Sequence, residues 1–139
     1  MTRAPTIIAL IGGLLLMAQS ELSERHLGSI KAGAALVLAG IADFPEADRF
    51  AEQGEEMLIE ACAKQFYGDG GHHSRSPEAL AEALCDLVAA RDALDDPPQI
   101  LTDTLPKLAN MLRMLRLGDG GLGCFQGGSE SSSATIDAV

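Results

Sequence analysis

Apolar and small residues recur along this chain at helical spacing, in five successive segments. The first runs from Ala4 to Gln19 and the second from Leu22 to Ile41. In the second, Gly28, Ala32, Gly33, Ala34 and Ala35 are small enough to let another helix come close. "DFPEAD" then interrupts the pattern, with Pro45 at a favoured first-turn position and Glu46 and Asp48 suited to the positive end of the next helix. The third segment places Phe50, Gly54, Met57, Leu58, Ala61 and, in part, Gln65 on one stripe. The fourth opens with Ser76 as N-cap and Pro77 as first helical residue. It carries Leu80, Leu84, Leu87, Val88 and Leu94, and Asp95 to Pro98 end it. The fifth aligns Leu101, Leu105, Leu108, Leu112 and Leu115, with Pro106 marking a kink or a late start. Alternating runs of Val, Thr and aromatics are missing, so the pattern predicts an all-α protein.

Two loops share one punctuation. "YGDGGHHSRSPEAL" begins at Tyr67 and "LGDGGLGCFQGG" at Leu117, so GDGG recurs after 50 residues. Glycine at the end of a helix supplies the left-handed conformation that stops it. Two helices lie between the loops, and in a stack of antiparallel hairpins such loops fall along one edge. The period predicts an α/α repeat, either a toroid or a solenoid. The tail "GGSESSSATIDAV" opens one more helix that stops at Val139, as expected of a piece of a longer protein.

Composition narrows the possible functions. A chain of 139 residues suits one domain. Its net charge of −10 disfavours nucleic acid, whose phosphates call for clustered Lys and Arg. It also disfavours bulk attraction to a polyanion, although a local basic patch can still bind one. Cys62, Cys85 and Cys124 are scattered, without the spacing of a disulfide framework or a zinc site. Cys62 and Cys85 read as small buried hydrophobes. The apolar run from Ile7 to Ala18 has two readings, a secretory leader or a buried first helix within residues 1–20. It is too short to span a membrane. Periplasmic, exported and cytoplasmic locations all stay open.

The candidate chemistry gathers after the first GDGG. His72, His73, Arg75 and Glu78 lie at the mouth of a helix N-terminus, where free N–H groups suit a carboxylate or sulfate. Arg75 adds bidentate recognition, and a histidine there offers general acid or base chemistry near neutral pH. The competing reading is a solvated turn whose histidines cap the neighbouring hairpin. Adjacent histidines without a third ligand make a poor metal site, and nothing calls for a cofactor. Arg113 and Arg116 either extend a basic edge or complete a solvated helix end. GDGG without a preceding strand is no phosphate cradle.

These strings together resemble the N-terminal toroid domain of the heparinase II/III family. The matching residues are Asp69, Gly70, Gly71, His72, Arg75, Ser76 and Pro77, then Gly118, Asp119, Gly120, Leu122, Phe125, Gly127 and Gly128. The resemblance runs from about Leu36 to Val139. It implies an incomplete (α/α) toroid across residues 1–139, followed in the parent chain by a β-sandwich domain. It also implies a carbon–oxygen lyase that cleaves uronate-containing polysaccharide by β-elimination. In that family an Asn or His neutralises the uronate carboxylate, while Tyr or His moves the protons. Here Ala79 stands where the family's tyrosine follows the Arg-Ser-Pro string, and Leu27 and Gly28 stand where the Asn-His pair would fall. Tyr67 does not match the catalytic position. The expectation is therefore a divergent lyase fragment on an acidic polysaccharide, with His72, Arg75 and Glu78 contacting substrate and His72 or His73 as catalytic candidates. The alternative is a non-catalytic helical-repeat module that binds glycan or protein.

Overall fold

The computed structural model describes residues 27–129 and Asp137. The helix expected over Ala4 to Gln19 lies outside the described residues. Four helices are present among them: α1 (Leu27–Ala39), α2 (Ala47–Gln65), α3 (Pro77–Ala93) and α4 (Gln99–Met114). No strand occurs among the described residues, only two isolated bridge pairs. The protein is all-α there, as its periodicity requires.

The core forms where the apolar stripes meet. Ile30, Ala34 and Val37 of α1 join Leu58 and Ala61 of α2, Leu80, Leu84 and Leu87 of α3, and Leu101, Leu105, Leu108 and Leu112 of α4. Each fully buried leucine contributes about 1.5–3 kcal/mol through the apolar surface it removes from water. Cys62 belongs to this core, and burial pushes its thiol up to about 11. Cys85 is only half-buried. Between α1 and α2 the backbones nearly touch: a Cβ added at Gly54 would lie 2.6 Å from the Gly33 carbonyl oxygen. Gly33 therefore does what its size predicts, letting the second helix close on the first.

Two helix starts differ from the pattern. Pro45 is exposed in the preceding turn rather than in the first turn of α2, which begins at Ala47. The turn uses this stretch itself, since Ala47 N–H donates to the Phe44 carbonyl at 3.1 Å and the Phe44 ring packs on Phe50 at 5.6 Å. In α4, Pro106 lies inside the helix and marks no late start. Pro98 opens that helix earlier, its carbonyl accepting from both Leu101 and Thr102 N–H, at 3.0 and 3.2 Å. Pro106 is exposed, so the core stripe passes it undisturbed. Ser76 and Pro77 sit where they were expected: Ser76 Oγ caps α3 by accepting from Ala79 N–H at 3.3 Å.

Candidate functional site

The two GDGG loops are the same small hairpin built twice. Tyr67 N–H donates to the Gly71 carbonyl at 2.8 Å, and Leu117 N–H donates to that of Gly121 at 2.8 Å. Gly70 N–H returns to the Tyr67 carbonyl at 3.0 Å, and Gly120 N–H to that of Leu117 at 2.9 Å. Asp69 and Asp119 each accept the amide two residues on, from Gly71 and Gly121, at 2.9 Å. Left-handed glycines close both turns, with φ of 91° at Gly70 and 86° at Gly120. This is a three-residue hairpin loop with a left-handed last position, and the aspartate braces it through its own side chain. It corrects the role expected of the glycines. They do not stop the helices: α2 ends on Phe66 in an extended conformation, and the glycines act in the hairpin that follows.

The loops lie together on one edge. Gly70 rests on the backbone of α4, where an added Cβ would meet the Lys107 carbonyl oxygen at 2.3 Å. The second loop returns the contact. Ser129 donates to Glu78 through its amide at 2.7 Å and its hydroxyl at 2.5 Å, tying the loop's tail across the start of α3. Those two bonds hold the Glu78 carboxyl below its ordinary value, the hydroxyl having the larger effect.

The four candidate residues receive different positions. His72 is 3% exposed, with its ring edge-on to Phe66 at 5.5 Å. Its Nδ1 meets Ser74 Oγ at 2.7 Å and accepts from Ser74 N–H at 3.1 Å, so this nitrogen serves the loop. Glu78 is engaged by Ser129. His73 is exposed and lies against the Tyr67 ring at a centroid distance of 4.4 Å. Arg75 is exposed with a left-handed φ of 58°. Of the two arginines weighed as a basic edge, Arg116 pairs with Asp137 and donates to the Gly120 carbonyl at 3.1 Å, while Arg113 stays on the exposed face of α4.

Between the hairpins is a hollow of about 360 Å³. Arg75, Tyr67 and Asp69 border it from the first loop, Leu80 from α3, Met111 and Leu115 from α4 and its end, and Phe125 from the second loop. Arg75 and His72, the residues expected to contact a ligand, both line this hollow, together with an apolar side that sequence reasoning did not name. The 50-residue spacing already placed both loops on one edge, and that was the signal pointing to Phe125.

No family model and no solved structure matches the chain. The FtsZ-localized protein C of Caulobacter vibrioides is 38% identical over 96 residues, covering 60% of this chain. The chain spans 17% of that protein's length. That name describes localisation with FtsZ, not the breakdown of alginate or glycosaminoglycan. It overturns the expected β-elimination lyase, and with it an acidic polysaccharide as the expected partner.

Proposed function

We propose that this chain is a non-catalytic helical module that binds protein and joins an assembly containing FtsZ. The observation that carries this reading is the 38% identity over 96 residues to FtsZ-localized protein C. The local chemistry supports it. Ala79 has no group to move a proton, and it is buried at the start of α3. The net charge of −10 suits a protein partner better than a polyanion.

The same reading takes α1–α2 and α3–α4 as successive hairpins of an α/α array of the heparinase II/III kind, kept as a scaffold. The support is the GDGG period together with the matching hydrogen bonds of the two loops. His72 and Glu78 then hold the edge in shape, while His73 and Arg75 are the residues it offers to a partner.

Co-sedimentation tests the reading. The chain is expected in the pellet with FtsZ filaments assembled on GTP, and in the supernatant when GTP is left out. A folded, helical chain that stays in the supernatant at every FtsZ concentration would sink the proposal.

A further inference from the structure

We infer that the hollow between the two GDGG hairpins is a docking site for an extended peptide bearing an acidic side chain next to a bulky apolar one. The inference rests on the reading of this chain as a protein-binding module. The acidic side chain meets Arg75, and its apolar neighbour packs on Phe125, Met111 and Leu115.

Charge complementarity identifies the occupant. Among the described residues, the Arg75 guanidinium makes no ion pair or hydrogen bond, in a chain with ten more carboxylates than Lys and Arg together. The neighbouring carboxylates are already engaged by the chain's own groups. Asp69 accepts from Gly71 N–H at 2.9 Å, and Glu78 accepts twice from Ser129. The other arginine of this edge shows the preference at work, since Arg116 holds the Asp137 carboxylate. Arg75 is the cation left over beside the hollow, and a planar guanidinium favours a carboxylate.

The apolar wall identifies the second feature of the peptide. Tyr67 and Phe125 are two of only five aromatic residues in the chain, and both stay half-exposed while lining the hollow. Aromatics beside an arginine are the usual anchors of protein interfaces. At about 360 Å³ the hollow is at the small end of ligand pockets, which run from about 300 to 1,000 Å³. That suits a short segment rather than a folded surface.

The backbone at Arg75 adds an independent cue. Its φ of 58° is a conformation that Asn or Gly adopts more cheaply. A cation standing in that conformation costs stability, and use of its head group accounts for the cost. It also supplies a variant that folds: Arg75→Asn removes the charge and suits the backbone.

The test is an amide-resolved NMR titration of the full chain with acetyl-Ala-Glu-Leu-Phe-Ala-amide. Two control peptides carry Gln in place of Glu, or Ala in place of Leu-Phe. Saturable shifts are expected at the Gly71 and Phe125 amides and at the Arg75 side-chain N–H. Either control peptide, or Arg75→Asn, is expected to weaken binding about ten-fold, the loss of one charge-assisted or anchoring contact. Arg75→Asn should melt no lower than the parent chain. Absence of saturable shifts, or equal binding by Arg75→Asn, overturns the inference. The titration contains no FtsZ. Failed pelleting with peptide binding intact sinks only the FtsZ assignment, and failed peptide binding with pelleting intact sinks only this site.

Discussion

The two GDGG hairpins share a backbone and differ in what fills it. Position for position, the second lies 50 residues after the first, and their hydrogen bonds agree to within 0.1 Å. The inward residue is His72 in one and Leu122 in the other, each 3% exposed. The first hairpin secures its histidine through Ser74 and presses Gly70 onto α4. The second runs on into a tail that Glu78 ties down through Ser129. Asp and Gly thus set the shape of the turn by local bonds, while the inward side chain is chosen by the surface it meets. One geometry serves as a foot standing on a helix and, fifty residues later, as the root of a strap.

The sharpest way to break that comparison is at the glycines. Gly70→Ala brings a Cβ within 2.3 Å of the Lys107 carbonyl oxygen at a φ of 91°, so a loss of about 3 kcal/mol or more is expected in urea unfolding. Gly127→Ala, at a φ of 80° with nothing within 4 Å, should lose only about 1–2 kcal/mol. Equal losses would show that the first hairpin does not stand on α4.

Exchanging the inward residues comes next. Leu122→His buries an imidazole among apolar neighbours and should cost about 2–4 kcal/mol. His72→Leu gives up the bonds to Ser74 but keeps an apolar filling, for a cost of about 1–2 kcal/mol. If His72→Leu proves the more damaging of the two, the ring does more than hold its loop.

The aspartates test the likeness rather than the difference. Asp69→Ala and Asp119→Ala each remove one amide acceptor of the same length, and each should lose about 0.5–1.5 kcal/mol. Unequal values measured by thermal unfolding would mean that the hairpins bear different loads despite matching bonds.

The smallest expected effect is the pH response of the strap. Ser129 lowers the Glu78 pKa in the folded chain, so the strap's contribution is present above the ordinary glutamate value. It is lost as the pH falls through the lowered folded value. The Ser129 amide resonance should report that titration, and Glu78→Gln should abolish it. A Ser129 signal that titrates unchanged in Glu78→Gln would rule the strap out.

Much of this arrangement is legible in the order of the residues, because its causes are local. A leucine every three or four residues makes a helix with one apolar face, and a Ser-Pro-Glu string caps α3 whatever surrounds it. GDGG reads in the sequence as a helix stop, and only the folded hairpin shows one left-handed glycine and one aspartate side chain closing a turn there. The all-α class of the described residues follows from those patterns alone. What the residues touch across the fold was decided only by tertiary packing. No sequence spacing shows that Gly70 meets Lys107, that Ser129 meets Glu78, or that His72 turns inward while Arg75 is left to solvent. Those contacts join segments up to 51 residues apart, and they depend on how four apolar faces share a single core.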